Sequence, residues 1–138
     1  MTFQEQLIIQ SQGRSTIEIT SQVENFLLNS KITTGICTLF SQHTSASLLI
    51  TENADPTVRI DLETILQRLA PDGDPEYQHD YEGDDDMSAH IRCMLTNDSL
   101  SIPIQNSRLA LGTWQGIFLY EHRYQPHQRN IILTVMGD

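Results

Sequence analysis

The sequence predicts an α+β domain made of two packed, mostly antiparallel β-sheets, with about seven strands and about three helices. Three observations support this class. Short runs of strand-forming residues end in turn residues, one central segment has a strong helical pattern, and the late strands follow one another through hairpin-like connections. Seven strands are too many for one small sheet, so we expect two sheets within a single domain over residues 1–138.

The first third of the chain is predicted to hold four strands and one helix. Strand-forming residues cover residues 3–10, 15–20, 35–40 and 46–51. Between the second and third of these strands, Ser21 and Glu24 have the spacing of a capping box, and apolar residues follow at helical spacing. This pattern predicts a helix from Ser21 to about residue 30.

The strongest helical pattern lies in the middle of the chain. Asp55 can cap a helix, Pro56 suits the first turn, and Pro71 ends it. Apolar residues recur between them at helical spacing, at Val58, Leu62, Ile65, Leu66 and Leu69. The pattern predicts an amphipathic helix between the two prolines.

The last third is predicted to contain a short helix and three strands. The helix runs from Met87 to about residue 95, and the acids before it favour its N-terminal dipole. The strands cover residues 100–104, a long stretch over 109–124, and residues 130–136.

The charge of the chain is concentrated in one segment. The net charge is −10, and eight acids with no base lie within residues 72–86, which read as a loop. The rest of the chain is nearly neutral and has no basic stripe, so we expect no nucleic-acid partner. No apolar run is long enough for a membrane span and no secretory signal is evident, so we expect no membrane partner. Two isolated cysteines, Cys37 and Cys93, predict a cytoplasmic location.

Three histidines stand in polar or acidic sequence and are candidate metal ligands. They are His43, His79 and His90, and His79 precedes Glu82 by three residues. Three imidazole nitrogens can hold a divalent ion and leave one position open for water. The alternatives are that each histidine is an ordinary surface or core residue, and that the acidic segment is a solvated or disordered loop.

A second candidate site is the stretch from Gly112 to Gly116, which contains the single tryptophan, Trp114. Two glycines inside a predicted strand indicate a bulge or a close approach of the backbone. The stretch fits a tight sheet or subunit contact as well as a ligand surface.

Three longer motifs carry a resemblance to a known family. They are HTSASLLITENADPTVRIDLE from His43, HDYEGDDDMSAHI from His79, and RLALGTWQGIFLYEHR from Arg108. In this order and spacing they resemble the YjbQ family, which is associated with a secondary thiamine-phosphate synthase activity. The resemblance implies a homotrimer with its site near the subunit boundary. The implied reaction joins hydroxymethylpyrimidine diphosphate to thiazole phosphate and releases diphosphate.

The resemblance also assigns roles to residues of this chain. The implied catalytic residues are His43, His79, Glu82, Asp84, Asp85 and His90. The three histidines among them are the candidate ligands named above for a divalent ion, Mg²⁺ or Zn²⁺, and His79 and His90 could instead transfer protons. The implied substrate-binding residues are Thr44, Ser45, Glu52, Asn53, Asp55, Arg108, Gly112, Thr113, Trp114, Gln115 and Gly116. Two positions depart from the family pattern, since Ser88 replaces a usual Pro and Ser107 a usual Gly.

Two other functions remain open at this point. The chain could be a metal-dependent enzyme with a different native substrate, or a trimer that binds a metal or small ligand without turning it over. From the resemblance, the first expectation remains an enzyme that takes small phosphorylated substrates.

Overall fold

The computed structural model describes residues 1–138 and contains three helices and eight strands in two antiparallel sheets, which confirms the predicted fold class. The strands are β1 (Thr2–Gln10), β2 (Ser15–Glu18), β3 (Gly35–Ser41), β4 (Ala46–Glu52), β5 (Ser99–Gln105), β6 (Arg108–Leu109), β7 (Gln115–Glu121) and β8 (Gln128–Gly137). The helices are α1 (Thr20–Ser30), α2 (Pro56–Leu69) and α3 (Asp86–Leu95).

The two sheets pack face to face around the hydrophobic core. The large sheet has the strand order β1-β8-β3-β5-β6, and the small sheet has the order β2-β7-β4. In the large sheet, Leu39 of β3 lies opposite Leu133 and Leu100. The core residues Leu48 and Leu119 lie opposite each other in the small sheet. The alternation of strand side chains places these residues on the inner faces, where burial stabilises the sandwich.

Helices α2 and α3 lie on the other face of the small sheet, away from the core. The guanidinium of Arg59 on α2 lies 4.7 Å from the centre of the Phe118 ring. The Tyr120 hydroxyl donates to Glu63 on α2 at 2.6 Å, and Thr96 donates to Ser47 at 2.6 Å at the end of α3. The layers are therefore the large sheet, the core, the small sheet and the helices α2 and α3, whereas α1 contributes buried residues to the core. None of the helices has the length and apolar character needed to cross a membrane.

The predicted long strand over residues 109–124 is wrong. Strand β6 ends at Leu109 in the large sheet, and β7 begins at Gln115 in the small sheet. Between them, the backbone N–H of Gly112 donates to the side-chain oxygen of Gln115 at 2.8 Å. The glycine-containing segment is therefore a tight crossing between the two sheets. The sequence does not reveal it, because strand-forming residues lie on both sides of the crossing.

The predicted capping box at Ser21 is also wrong. Helix α1 begins at Thr20 without a side-chain cap, and Ser21 donates to Gln22 instead. Ile19, just before the helix, is fully buried, and its backbone N–H donates to Ile117 of β7 at 2.8 Å. Core packing therefore sets the start of α1. By contrast, Asp55 accepts from the backbone of Thr57 at 2.9 Å and caps α2 as predicted.

Candidate functional site

His79, Asp86 and His90 meet beside the first turn of α3. The Nε2 atom of His79 lies 2.6 Å from Oδ2 of Asp86, and Nε2 of His90 lies 3.2 Å from the same oxygen. One ligand atom from each residue lies within 4.8 Å of those of the other two. The structure thus brings two of the three predicted histidines together, with a carboxylate between them. We call these three residues the histidine–aspartate cluster.

Helix geometry explains two members of the cluster. Asp86 and His90 are four residues apart on α3, and this spacing puts both side chains on one face of the helix. His79 comes from the acidic segment before the helix, where its Nε2 atom also lies 2.9 Å from Oε2 of Glu82. Asp86 is the member of this candidate site that the sequence analysis missed, although its four-residue spacing from His90 was a usable signal.

The ring orientation of His90 suits a metal ligand. Its Nδ1 atom lies 3.0 Å from the backbone oxygen of Thr44. A carbonyl only accepts, so with a metal ion on Nε2 the neutral ring would keep its proton on Nδ1 and donate it to Thr44. A backbone carbonyl behind a ring nitrogen is the usual way in which proteins orient a metal-binding histidine.

The carboxylate of Asp86 is ionised and held by a cation. Asp86 is only 4% exposed, and NH1 of Arg123 donates to its Oδ1 atom at 2.7 Å. Burial opposes ionisation, but hydrogen bonding from His79 and the charge of Arg123 lower the pKa of Asp86 below its usual value. The hydrogen bond to Asp86 in turn raises the pKa of His79. Because one oxygen of Asp86 faces Arg123, the other is free to face the histidines.

Asp85 ties the acidic segment to the end of β7. Its Oδ2 atom accepts from the backbone N–H of Tyr124 at 2.7 Å and lies 3.1 Å from Nε of Arg123. Beside the cluster, a cavity of about 200 Å³ is lined by His79 and by three aspartates of the same segment, Asp74, Asp80 and Asp84. The surroundings of the cluster are therefore acidic, which favours cations over free anions.

His43, the third predicted ligand, lies outside the cluster and is engaged elsewhere. Its Nε2 atom accepts from the backbone N–H of Asn130 at 2.7 Å, and its Nδ1 atom lies 3.4 Å from NH1 of Arg129. Burial and the charge of Arg129 lower the pKa of His43. With one lone pair used and a guanidinium beside the other nitrogen, His43 connects the loop after β3 to β8. The structure does not place it with His79 and His90.

The residues of the first motif after His43 also make structural contacts. Thr44 contributes its backbone oxygen to His90, and the Ser45 hydroxyl accepts from Arg129 at 3.0 Å. Farther along, Glu52 accepts from the backbone of Asp55 at 3.1 Å, and Asn53 donates to Glu18 at 3.0 Å. The bonds of Glu52 and Asn53 hold the start of α2. Of the residues in this motif, only Thr44 contacts the histidine–aspartate cluster.

The remaining predicted binding residues make their hydrogen bonds away from the cluster. Gly112, Thr113, Trp114, Gln115 and Gly116 form the crossing between the sheets and the start of β7. The backbone oxygen of Trp114 accepts from Asn53, while its side chain is 62% exposed. A Cβ atom on Gly116 would lie 2.7 Å from a Glu18 oxygen, so close packing explains this glycine. Arg108 is exposed on β6, opposite Gln105.

Comparisons with known proteins agree on one family. The family model described as "UPF0047 protein YjbQ-like" matches residues 5–138. The chain is 51% identical to the UPF0047 protein sll1880 of Synechocystis over 135 residues, which cover 98% of this chain and 92% of that protein. It is 42% identical over 139 residues to the UPF0047 protein YjbQ of Escherichia coli O157:H7, with both chains covered completely.

Solved structures support the same grouping. A protein of the yjbq/upf0047 family from Clostridium acetobutylicum matches with a TM-score of 0.85 and 34% identity, over 97% of this chain and 99% of that one. A YbjQ-like protein of Sulfolobus solfataricus, described as of unknown function, matches with a TM-score of 0.88 over the whole of both chains. At 23% identity, this second likeness shows the fold alone.

These comparisons overturn the thiamine-phosphate synthase function that the resemblance implies. The relatives are named only as UPF0047 or YjbQ-like proteins, and the structures are described as uncharacterized or of unknown function. None of these names indicates synthesis of thiamine phosphate. The prediction of that reaction is therefore wrong and is not carried further, whereas the family resemblance is confirmed.

Proposed function

The chain belongs to the YjbQ-like UPF0047 family, and from its histidine–aspartate cluster we propose that it binds a divalent transition-metal ion through His79, Asp86 and His90. The observation that carries this proposal is the convergence of two imidazoles and one buried carboxylate within 4.8 Å. Small side-chain rotations bring such atoms within bonding distance of one ion, about 2.0–2.2 Å for zinc.

The ligand types favour some ions over others. Two imidazoles with one carboxylate suit Zn²⁺ and other first-row metals, whereas Mg²⁺ prefers an all-oxygen octahedral site. Of the two ions expected from the sequence, Zn²⁺ is the better match. The orienting contacts are also in place, because Thr44 holds the far side of His90 and Arg123 holds the far side of Asp86.

The number of ligands bears on what a bound ion could do. Three protein ligands with an open position are typical of catalytic zinc, which acidifies a bound water or polarises a substrate oxygen. Glu82, whose carboxylate lies 2.9 Å from Nε2 of His79, is the group of this chain placed to accept a proton there. This supports a metal-dependent enzyme with a substrate of its own as the wider form of the proposal.

Removal of one ligand tests the metal site. We expect His90→Ala to weaken Zn²⁺ or Co²⁺ binding by about 100-fold or more, because the remaining pair of ligands no longer encloses the ion. Isothermal titration of metal-free protein measures this affinity, and the visible spectrum of bound Co²⁺ reports the coordination geometry. Mg²⁺ should bind much more weakly than either ion.

A matched control shows whether the loss of a histidine outside the proposed site also weakens metal binding. His127 lies in the turn before β8 and is partly exposed, with Nδ1 against the backbone oxygen of Gln125 at 2.7 Å. We expect His127→Ala to keep the metal affinity of the unaltered protein. Equal affinities for His90→Ala and the unaltered protein, with both folded by circular dichroism, would refute the proposed site.

We further propose that the chain assembles into a homotrimer, and the first support is an unpartnered helix face. The apolar stripe of α2 is largely exposed in the single chain, with Leu62, Ile65 and Leu69 at 37, 47 and 61%. Leu66 is the only residue of α2 that is buried. A helix this apolar is normally covered, so its stripe is suited to pack against another copy.

The second support lies on the opposite side of the molecule. The outer face of the large sheet carries no charged side chain over β1, β8, β3 and β5, although the chain has a net charge of −10. Exposed apolar residues on this face include Phe40 at 50% and Ile8 at 55%. Two different surfaces fit head-to-tail contacts, since an isologous dimer would need only one, and such contacts close into a trimer when each turns the chain by a third of a circle.

Two charge substitutions test the ring. We expect Ile65→Glu on the helix and Phe40→Glu on the sheet each to abolish the trimer, because each buries a carboxylate in the interface. Sedimentation or light scattering should then give the mass of one 15.7 kDa chain. A mixture of the two variants retains one intact pair of surfaces and should form dimers that do not close.

Leu28→Glu serves as the control for this test, since Leu28 is 62% exposed on α1 outside both surfaces. It should leave the trimer intact. A trimer that persists in both Ile65→Glu and Phe40→Glu, or unaltered protein that sediments as a monomer, would contradict the proposal.

The two cysteines support the cytoplasmic location that we propose. Cys37 and Cys93 are both free thiols. Burial raises the pKa of Cys37 to about 11 and that of Cys93 to about 12, so both thiols stay protonated near neutral pH. Unpaired, unreactive thiols are suited to a reducing compartment.

A further inference from the structure

A second cavity lies between α2 and the small sheet and contains none of the proposed metal ligands. Its volume is about 610 Å³, which is within the usual range for small-molecule sites. Its walls include two arginines, Arg14 and Arg59, and the tyrosines Tyr120 and Tyr124. The cavity therefore combines cationic groups with aromatic surface.

Two of the charged groups around the cavity are neutralised by ion pairs. The Arg14 guanidinium donates to both carboxylate oxygens of Asp72, at 2.8 and 2.9 Å. Glu63, which also lines the cavity, accepts from Arg92 at 2.6 and 3.1 Å and from Tyr120. Each charge has a fixed opposite partner, so neither offers a free charge to a ligand.

Arg59 is the exception among the charged groups that line the cavity, because it makes no ion pair while Arg14 and Glu63 both do. Its NH1 group donates to the backbone oxygen of Glu52 at 3.1 Å, and its guanidinium stacks over the Phe118 ring. Hydrogen bonds from Thr57, and to a smaller extent the charge of Arg59, lower the pKa of the exposed Asp55 carboxylate, which does not pair directly with Arg59. The cavity thus has one positive charge in excess, on a half-buried side chain held in place at two points.

From this arrangement we infer that the cavity binds a small organic anion, with its carboxylate or phosphate group on Arg59 and its apolar body against Ile60 and the two tyrosine rings. The remaining N–H groups of Arg59 can donate to two oxygens of such an anion, which is the geometry that guanidinium favours. The site goes beyond the proposed metal function, because it shares no residue with the histidine–aspartate cluster. In an otherwise acidic protein, it is a place where an anion meets uncompensated positive charge.

Phenyl phosphate and benzoate test the site, because both combine a ring with an anionic group. Binding is followed by titration of backbone amide shifts in the presence of EDTA, so that no metal-bound phosphate contributes. We expect both probes to shift amides around the cavity, and Arg59→Gln to weaken each at least tenfold. Tighter binding of phenyl phosphate assigns a phosphate group to the ligand, and tighter binding of benzoate assigns a carboxylate.

The controls isolate the charge and the ring. Arg68→Gln removes an exposed arginine near the end of the same helix and should leave both affinities unchanged. Benzyl alcohol lacks the charge and inorganic phosphate lacks the ring, and both should bind more weakly than phenyl phosphate. His90→Ala should keep the probe affinity, so a failure of the metal site would not affect this result. Unchanged affinity in a folded Arg59→Gln variant, or shifts confined to other surfaces, would overturn the inference.

Discussion

Lowering the pH from about 6.5 to about 3.5 is expected to reduce the free energy of unfolding by about 4 kcal/mol through His122 alone. His122 is fully buried on the face of the small sheet that α3 covers, and its Nε2 atom lies 2.8 Å from the Ser47 hydroxyl. Its Nδ1 atom has no hydrogen-bond partner. Burial, together with the charges of Arg92 and Arg14, lowers the pKa of His122 to about 3, while Glu121 and Glu63 oppose this shift.

The direction of the effect follows from proton binding. In the unfolded chain His122 takes up a proton below about pH 6.5, but in the folded protein it stays neutral until the pH approaches 3. Between these values the unfolded state binds one more proton, so stability falls by about 1.4 kcal/mol for each unit of pH lost. Below about pH 3 both states are protonated and this contribution levels off.

Urea unfolding at several pH values, compared with the variant His122→Gln, measures the effect. Glutamine cannot titrate but can still hydrogen-bond to Ser47, so its unfolding free energy should depend less steeply on pH. Carboxylate titrations elsewhere affect both proteins equally. The two curves should therefore converge as the pH falls, because only the unaltered protein loses the contribution of His122. Parallel curves from pH 7 to pH 4 would show that His122 does not titrate in this range.

Substitution of Arg129 by methionine is expected to cost about 3–5 kcal/mol of stability, because it leaves a buried carboxylate without its counter-charge. Glu121 is fully buried and Arg129 is 4% exposed, and Nε of Arg129 donates to Glu121 at 2.8 Å. Glu121 also accepts from the Ser11 hydroxyl at 2.7 Å. Hydrogen bonding from Arg129 outweighs burial and lowers the pKa of Glu121, so the carboxylate is charged.

A double-mutant cycle distinguishes the ion pair from lost packing. Glu121→Gln combined with Arg129→Met removes both charges, and we expect it to be more stable than Arg129→Met alone by about 1–3 kcal/mol. Chemical denaturation of the four proteins at pH 7 gives the coupling energy. Additive effects of the two substitutions would contradict a coupled buried pair.

Local sequence patterns predicted most elements because their signals are short-range. Strands β1, β3, β4, β5 and β8 and helix α2 were predicted to within about two residues, since alternation, the Asp55 cap and the flanking prolines act locally. The crossing between β6 and β7 was missed, because strand-forming residues lie on both sides of it. Which sheet a strand joins depends on long-range pairing.

The candidate site was predicted only in part for the same reason. His79 and His90 were identified by residue type, and the structure places them together. His43 was grouped with them because all three histidines lie in polar stretches of sequence. In the structure, however, the backbone N–H of Asn130 on the distant strand β8 donates to Nε2 of His43. Asp86 is one of eight acids in its segment, and only the helical turn of α3 distinguishes it by placing it beside His90. Contacts between segments far apart in sequence decide such roles.

The position of β8 has a consequence for how the protein is made. This strand is the last of the chain, yet it lies between β1 and β3 and pairs with both. During synthesis β1 and β3 leave the ribosome long before β8, so the edges that they turn toward β8 stay unpaired until that strand emerges. The large sheet can close only after β8 has been synthesised, and nascent chains that stall before Gln128 should depend on chaperones to avoid aggregation.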